Sequence, residues 1–449
     1  MPLPTVSVLI VNYFAAHLTA RAVASVLHDC PTAQVVVVDN SVSPEEFESL
    51  ARQVDGRATL MANRSNGGFG AANELALRNA SGEFVMLLNP DAMLRPGCLA
   101  RLCQTLVERP EALLVAPRAC WDSAGQFCLP VGQPEGPGRE LALELARLFP
   151  AVGRRISGWH RRRAVAEWSA QRPREQEMLS GAAFMFRRDA LRRIGGLFDP
   201  LFFMFYEDTD LSRRVRAGGY RLLLEPRAQV VHAWRMDSHK GPLMADGRRR
   251  FLGKHFPGSR VRYWVERLRL LPGRGGAPFP YEDLGVLERP PVLPVPESIQ
   301  AAWVLELSPS GLFLPAAGRR GRGAIATVGE ALWSNLAPGR YFARLAGPSG
   351  GRARYWAWQI PSSPEASEDG LAFLNETFAA PPGTRWPRGT VPVSPGMLER
   401  FGLQVPPAEG ALVKVRQPTW RTDWFGPKDE ASACVLFRSA FGHQMDPAL

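Results

Sequence analysis

The 449-residue sequence has few cysteines and no long apolar run. Its six cysteines contain no CxxC pair, so neither a zinc cluster nor a disulfide framework is predicted, and we expect free thiols in a reducing compartment. The N-terminal stretch MPLPTVSVLIVNYF has no basic segment before its apolar residues and is shorter than the ~20 residues of a membrane span. These absences predict a cytoplasmic protein, at most peripheral on the inner face of a membrane.

Two common phosphate-binding motifs are also missing. The glycine-rich stretch SNGGFGAANE (65–74) is not followed by GK[ST], and its glycine spacing does not match GxGxxG. Its glycines still allow a sharp bend and a close backbone approach to a ligand. From the residues alone, a plain strand-to-helix turn and a nucleotide-diphosphate loop are equally good interpretations.

A positive net charge of +11 predicts an anionic partner without identifying it. The arginine runs at 158–165 and 247–250 are not interleaved with aromatic residues, as the groove of a single-strand-binding protein would be. We therefore expect no nucleic-acid partner. Solvated surface and attraction to anionic lipid headgroups are the preferred explanations of the charge.

Strand and helix patterns alternate through the first ninety residues. Continuous apolar, β-branched runs at 6–14 and 33–41 are typical of strands buried on both faces, and the segment between them has helical spacing. This alternation predicts a doubly wound, mainly parallel α/β sheet whose ligands lie beyond the carboxyl ends of the strands. Polar residues follow three of these strands, namely Asn12 with Tyr13, Asp39 with Asn40, and Asn89 with Asp91.

Composition divides the chain into three parts. We expect an α/β domain over 1–275, a proline-rich linker over 276–297 and a small β-rich accessory domain of unknown role over 298–449. Within the first part, 131–175 is expected to be a connection with a basic helical face. The tryptophans of the last part are expected to be core residues, with stacking on sugars as the alternative.

Several acids and one histidine are candidates for chemistry. Asp91 is well placed to bind Mg²⁺ or Mn²⁺ with help from substrate phosphates, although helix capping is the simpler interpretation of this residue alone. YEDTD (206–210) crowds three acids beside aromatic residues, where helix-start electrostatics are the competing explanation. His232 is either a half-buried structural residue or, if it lies beside Asp91, a metal ligand.

Six motifs, in their order along the chain, resemble the inverting family-2 glycosyltransferases of the GT-A fold. They are VSVLIVNY, VVVDNS, NGGFGAANE, LLNPDAML, SGAAFMFRRDALRRIGGLFDPLFFMFYEDTDLSRRVRAGGY and VVHAW. The similarity is greatest to their rhamnosyltransferase-like branch and spans about residues 5–257. It implies a Rossmann-like sheet and transfer of a sugar from a nucleoside diphosphate to a hydroxyl of a glycan or lipid-linked acceptor, in cell-surface polysaccharide synthesis.

The resemblance also implies residue roles. Asp208 corresponds to the catalytic base, with Glu207 beside it, and Asp210 stays open as an alternative base. Asp91 and His232 correspond to the metal site, where Asn89 replaces the first acid of the family's DxD motif. The positions implied to hold the nucleotide sugar are Asn12, Tyr13, Asp39, Asn40, Asn66, Gly68 and Asn89.

On the resemblance alone, dTDP-rhamnose is the expected donor, and the expected cofactor is Mg²⁺ or Mn²⁺. The basic stretches fit an anionic membrane surface, where a lipid-linked acceptor would lie. A second interpretation is a catalytically silent sugar-nucleotide-binding protein. The presence of Asp91, Asp208 and His232 together argues against it.

Overall fold

The computed structural model describes residues 5–130, 132–234, 240–272, 278–361, 390–392 and 412–414. They belong to two compact units, Met1–Pro361 and Ser362–Leu449. No helix in the described ranges has both the length and the apolar character needed to cross a bilayer. The five cysteines within these ranges are free thiols, as expected, and Cys434 lies outside them.

The first part of the larger unit alternates strands and helices, as the sequence predicts. The elements are β1 (Val6–Asn12), α1 (Ala16–Asp29), β2 (Gln34–Asp39), α2 (Pro44–Val54), β3 (Thr59–Ala62), α3 (Gly68–Arg78) and β4 (Phe84–Leu88). Strand β1 pairs in parallel with β2 and β4, and β2 pairs in parallel with β3. This register places Asn12 beside Asp39 at the carboxyl edge of the sheet.

Helices cover both faces of this sheet. Because successive strand residues point to opposite faces, Val8 and Ile10 pack with α1 and α2, whereas Leu9 and Val11 pack with α3. The continuous apolar runs of β1 and β2 follow from this double coverage. The doubly wound α/β arrangement predicted for this region is therefore confirmed.

The middle of the chain completes the sheet with strands of both directions. Its elements are β5 (Ala92–Leu94), α4 (Cys98–Glu108), β6 (Ala112–Cys120), β7 (Phe127–Cys128), α5 (Pro137–Leu148), α6 (Pro150–Trp168), β8 (Arg174–Gln176), β9 (Ala183–Arg187), a 3-10 helix (Asp189–Ile194), α7 (Glu207–Ala217), β10 (Arg221–His232), α8 (Gly241–His255) and α9 (Arg260–Arg269). Strand β9 is antiparallel to β4 and β6, and β10 runs parallel to β6. The sequence patterns predict two short strands where the structure has the single strand β10. Its register shifts between Glu225 and Gln229, around Pro226, which interrupts the apolar pattern.

Strands predominate after residue 278. The elements are β11 (Glu282–Val286), β12 (Val292–Pro294), a 3-10 helix (Glu297–Ile299), β13 (Trp303–Ser308), β14 (Ala317–Gly321), β15 (Ile325–Thr327), α10 (Glu330–Trp333), β16 (Gly339–Gly347) and β17 (Gly350–Ile360). The side chains of Trp303, Trp356 and Trp358 are buried in the core of this β layer, and Trp333 packs against it. The remaining tryptophans singled out in the sequence, Trp386, Trp420 and Trp424, lie outside the described residues.

The β layer continues the central sheet. The two-residue strand β7 pairs with both β6 and β14, so hydrogen bonding runs without a break from β3 to β11. The segment 276–297, expected to be a linker, contributes β11 and β12, and Leu293 and Val295 are buried. The prolines of this segment argue against strands in the sequence. In the structure each of the two strands pairs on one side only, where proline is tolerated.

The second unit is described only at β18 (Thr390–Pro392) and β19 (Leu412–Lys414), which pair antiparallel. The rest of the β-rich region predicted beyond residue 361 lies outside the described residues.

Candidate active site

The ends of β1 and β2 hold each other in place through buried side chains. The Nδ2 of Asn12 donates to Oδ1 of Asp39 at 2.9 Å, and the Oδ1 of Asn12 accepts from the hydroxyl of Thr19 at 2.7 Å. The Oδ2 of Asp39 accepts from the Ser41 hydroxyl at 2.7 Å. Asn12 is 0% exposed and Asp39 2%. The side chain of Asn12 is therefore engaged within the protein, where it fixes the position of Asp39.

A second polar network connects β2 to the glycine-rich loop. Asn40 donates to Oδ1 of Asn66 at 2.7 Å and accepts from Nδ2 of Asn63 at 2.9 Å. Burial raises the pKa of the Tyr13 phenol, and a hydrogen bond with Asn66 opposes this rise. Asn66 itself is exposed. The sheet edge thus presents a phenol and an amide that are already oriented by their neighbours.

Gly68 begins α3 in a conformation that few other residues adopt. Its φ is +88°, and a Cβ at this position would lie 2.1 Å from the carbonyl oxygen of Phe203. The next amide, that of Phe69, donates to the same carbonyl at 2.9 Å. The glycine is therefore required for contact between the start of α3 and the loop that leads into α7.

Asp91 and His232 meet because β5 pairs with β10. The pairing sets His232 opposite Ala92, and Nε2 of His232 lies 3.1 Å from Oδ1 of Asp91. Burial would raise the pKa of Asp91, but the hydrogen bond and charge of His232 outweigh it and hold the pKa below its ordinary value. Strand β5, and not a helix, follows Asp91, so the helix-capping interpretation is wrong.

These two residues could supply part of the ligand set of a divalent cation. A carboxylate oxygen suits Mg²⁺ and Mn²⁺, and imidazole is a frequent metal ligand. Within the described ranges, no group of three or more His, Cys, Asp or Glu side chains is arranged to hold a metal ion. Asp91 and His232 suit a cation whose remaining ligands come from substrate phosphates and water.

Asp208 lies in the first turn of α7 and is oriented by three hydrogen bonds. Its Oδ2 accepts from the amide of Gly181 at 2.8 Å, and its Oδ1 accepts from the amide and hydroxyl of Thr209 at 2.6 and 3.2 Å. Burial raises the pKa of Asp208 and the hydrogen bonds oppose that rise. A carboxylate held in this way has a fixed direction and increased basicity.

The neighbouring acid, Glu207, is buried with little to stabilise its charge. Its side chain is 6% exposed, and its Oε2 has no hydrogen-bond partner in the described part of the chain. Burial, followed by the charge of Asp208, raises the pKa of Glu207 to about 8. Glu207 is therefore mostly protonated at neutral pH and adds little negative charge beside Asp208.

Asp210 does not fit the catalytic role that the sequence left open for it. Its Oδ2 accepts from Nε of Arg214 at 2.7 Å, and its Oδ1 contacts Nζ of Lys254 at 2.5 Å and Nε2 of His255 at 2.7 Å. The side chain is 0% exposed. Burial would raise the pKa of Asp210, but these partners hold it below its ordinary value. Asp210 joins α7 to α8, and a substrate hydroxyl has no access to it.

The segment 180–182 joins the candidate metal ligands to the candidate base. The amide of Asn89, two residues before Asp91, donates to the carbonyl of Ala182 at 2.8 Å. The preceding residue, Gly181, donates its amide to Asp208. The predicted residues at the ends of β4, β10 and α7 are thus brought to one place in the fold.

Sequence reasoning missed Glu46. Its Oε1 accepts from Nδ2 of Asn12 and from the amide of Ala16, each at 2.9 Å, and so supports the end of β1 and the start of α1. Ser43 caps α2 and accepts from the Glu46 amide, which gives the S-x-x-E pattern of a capping box. That pattern predicts the helix start but not that the carboxylate turns toward Asn12.

A cavity of about 210 Å³ opens beside His232 and Ser180. Its walls are mostly apolar and include Trp168 of α6 and Trp234, which follows β10. One buried donor on these walls, Nε of Arg118, has no hydrogen-bond partner within the described ranges. Such a donor favours a ligand that brings an oxygen acceptor.

Part of the chain is similar in sequence to known proteins. The family model for glycosyl transferase family 2 matches residues 7–195. The N-acetylglucosaminyl-diphospho-decaprenol L-rhamnosyltransferases of two Mycobacterium tuberculosis strains are 29% identical over 156 residues, which cover 33% of this chain and 47% of the relatives. The chain thus spans about half the length of these relatives.

Two solved structures are also similar. The mannosyltransferase PcManGT from Pyrobaculum calidifontis, in complex with GDP-Man and Mn²⁺, is 21% identical, with 60% of this chain and 70% of that chain covered and a TM-score of 0.40. GalNAc-T7 with UDP, GalNAc and Mn²⁺ is 17% identical, with 51% and 44% covered and a TM-score of 0.38.

The match to glycosyltransferase family 2 covers residues 7–195, and the α/β domain that contains them has the GT-A fold. The mycobacterial relatives that match this part of the chain are rhamnosyltransferases. The family resemblance noted in the sequence is confirmed.

Proposed function

We propose that this chain transfers a sugar, rhamnose by preference, from a nucleoside diphosphate to a hydroxyl of a glycan or lipid-linked acceptor, with inversion at the anomeric carbon. The observation that carries the proposal is the convergence of Asp91, His232 and Asp208 around the segment 180–182. The match to family 2 supports the reaction class, and the mycobacterial relatives favour rhamnose.

The nucleotide would lie along the carboxyl edge of β1 and β2. Tyr13 and Asn66 are oriented there by their own hydrogen bonds, and Asp39 is fixed by Asn12 and Ser41. A phenol, an amide and a carboxylate can bind a base and ribose through stacking and hydrogen bonds. Asn40, Gly68 and Asn89 would shape the approach of the diphosphate.

Asp91 and His232 would hold Mg²⁺ or Mn²⁺ together with the donor's phosphates. When bound, the cation would stabilise the negative charge that gathers on the departing diphosphate. Because the protein offers two ligands, we expect cation binding to depend on the donor. Tight Mn²⁺ binding to the donor-free protein at this site would contradict that expectation.

Asp208 would take the proton of the acceptor hydroxyl as the new glycosidic bond forms. Its hydrogen bonds with Gly181 and Thr209 fix the carboxylate, and burial raises its pKa and therefore its basicity. Glu207, mostly neutral at pH 7, limits the negative charge at this position. General-base catalysis contributes typically ~10² to 10⁴-fold in rate.

The acceptor would occupy the cavity beside His232. Its apolar walls and the rings of Trp168 and Trp234 suit a sugar face or the first part of a lipid. The unpartnered Nε of Arg118 suits a hydroxyl or phosphate oxygen. A lipid-linked acceptor would place the enzyme on the cytoplasmic face of a membrane, in the synthesis of cell-surface polysaccharide.

A donor panel with Mg²⁺ or Mn²⁺ tests the proposal. We expect transfer and nucleoside-diphosphate release with dTDP-rhamnose, and a fall of ~10² to 10⁴-fold in Asp208→Asn with donor binding retained. The matched control is Glu175→Gln, which removes an exposed acid of β8 and should leave the rate unchanged. Full activity in Asp208→Asn would exclude the base assignment. Donor binding with no transfer to any acceptor would favour the silent sugar-nucleotide-binding protein.

A further inference from the structure

Helix α9 displays aromatic and aliphatic side chains to solvent. Tyr263 is 56% exposed, Trp264 60%, Leu270 75% and Leu271 49%, and Val265 is the one residue of α9 that is fully buried. Tyr263 and Trp264 are adjacent, and Leu270 and Leu271 follow them seven positions later, two helical turns on, so the four form one stripe along the helix and its C-terminal turn. Exposed apolar residues grouped in this way mark an interaction surface.

Arginines accompany this stripe. Arg260 and Arg267 are exposed, and the Nε of Arg267 donates to the Tyr263 hydroxyl at 3.1 Å. The guanidinium of Arg267 also lies 5.3 Å from the centroid of the Tyr263 ring. Amphipathic helices that lie in a membrane interface combine tryptophan and leucine with basic residues in this way.

The inner face of α9 is held firmly by α5. Arg147 donates to the carbonyls of Leu268 and Leu271 at 2.7 and 2.9 Å, and Arg269 pairs with Glu144 at 3.3 Å. The outer stripe is therefore displayed by a fixed helix.

The basic stretches that the sequence singled out have other roles. In 158–165, Arg161 pairs with Glu306 at 2.9 Å and Arg163 with Glu167 at 3.3 Å. In 247–250, Arg248 pairs with Glu140, and Arg249 and Arg250 both pair with Asp246. Within the described ranges, nearby acids pair with every arginine of these two stretches except Arg162, which leaves α9 as the better place for an anionic partner.

We propose that the stripe formed by Tyr263, Trp264, Leu270 and Leu271, with Arg260 and Arg267, seats the protein on an anionic lipid bilayer. The rings lie at headgroup level, the leucines reach the acyl boundary and the arginines bind lipid phosphates. Charge complementarity selects this partner, since Arg260 and Arg267 of α9 are exposed and form no ion pair within the described ranges. The inference rests on the proposed lipid-linked acceptor for its purpose, because seating would bring the catalytic domain to that acceptor.

Vesicle co-sedimentation of the full chain tests this. Wild type should bind vesicles of phosphatidylcholine with phosphatidylglycerol and should not bind phosphatidylcholine alone. More than half of the surface of Tyr263 and of Trp264 is exposed and available for burial in the bilayer. The double variant Tyr263→Ala with Trp264→Ala removes this burial and should weaken binding by roughly tenfold or more. Arg260→Gln and Arg267→Gln should each weaken it by about fivefold, and the arginine effect should diminish at high salt.

The matched control is Val107→Ala, which removes an exposed apolar side chain from α4, on the opposite face of the sheet from α7. It should bind vesicles as wild type does. Failure of wild type to sediment with anionic vesicles, or equal binding by the Tyr263 and Trp264 variant, would overturn the proposal. A dimer in gel filtration that Trp264→Ala dissociates would instead assign the stripe to a second copy, and would overturn it too.

Nucleoside-diphosphate release without vesicles separates this proposal from the proposed function. The α9 variants should release nucleotide at the wild-type rate, since they lie outside the catalytic residues. If vesicle binding depends on α9 but the protein is inactive with every donor, only the transferase proposal is contradicted. If the protein transfers sugar but does not bind vesicles, only the membrane proposal is contradicted.

Discussion

At the scale of single residues, two adjacent acids of α7 have different surroundings. Asp208 accepts three hydrogen bonds, whereas Glu207 has a buried oxygen with no partner in the described part of the chain. An uncompensated buried carboxylate is costly when charged, so it retains its proton. The folded chain therefore keeps this proton at pH values where the unfolded chain has already released it.

Glu207 should make the protein less stable as the pH rises. Its pKa of about 8 when folded exceeds the ordinary value of 4.5, so the folded chain binds a proton that the unfolded chain has released. The contribution of this proton to the free energy of unfolding is complete below about pH 4.5 and is lost progressively toward pH 8. Denaturant unfolding at a series of pH values should show this loss in wild type and a shallower loss in Glu207→Gln. Parallel profiles would contradict the assignment.

At the scale of elements, α3 and the loop before α7 are fitted to each other through Gly68. A Cβ there would meet a backbone carbonyl, which cannot swing aside as a flexible side chain could. The contact couples the glycine-rich loop to the turn that presents the candidate base, so both sides of the site depend on it.

Gly68→Ala should lower both stability and transfer rate. Two controls separate the causes. Gly97 has a similar φ of +80°, and no atom lies within 4 Å of the position that a Cβ would take there. Gly97→Ala should therefore cost only the ~1 to 2 kcal/mol of backbone strain. Gly70 has an ordinary backbone conformation, and a Cβ there would lie 3.4 Å from the Cβ of Phe198. Gly70→Ala should therefore destabilise the protein less than Gly97→Ala does. Thermal unfolding and rate measurements that rank Gly68→Ala with Gly97→Ala would show that the carbonyl contact is unimportant.

The elements that sequence predicts well are those with local signals. Strands β1 and β2 are continuous apolar runs, and α2 begins with a serine cap and a proline. Strands β11 and β12 were missed because proline density outweighs strand propensity until a neighbouring edge is known. Among the site residues, motif order alone placed Asp91 and His232 together, and strand pairing supplies the reason.

At the scale of the whole molecule, a buried ion cluster joins α6 to the β layer. Glu306 of β13 accepts from Arg161 of α6 at 2.9 Å and from Arg344 of β16 at 2.6 and 2.7 Å. Arg344 also donates to the Ser157 hydroxyl at 2.9 Å. Sequence could not predict this, because Arg161 looked like one member of a basic surface run and its partner lies 145 residues away.

Glu306→Ala should destabilise the larger unit by about 3 to 5 kcal/mol, since it leaves two arginines buried without their shared partner. The matched control is Asp283→Asn, which breaks the exposed pair with Arg340 at 2.6 Å and should cost at most about 1 kcal/mol. Denaturant unfolding of both variants measures the difference. A Glu306→Ala cost as small as that of the control would mean that the cluster does not hold α6 to the β layer.

The short strand β7 has a consequence for synthesis on the ribosome. Its partner in the β layer, Gly318, is made roughly 190 residues after Cys128. At ~5 to 20 residues per second, translation of that stretch takes on the order of ten to forty seconds. For this interval the nascent chain has an open strand edge with Trp121 and Phe127 beside it, which is the period in which a chaperone would act on it.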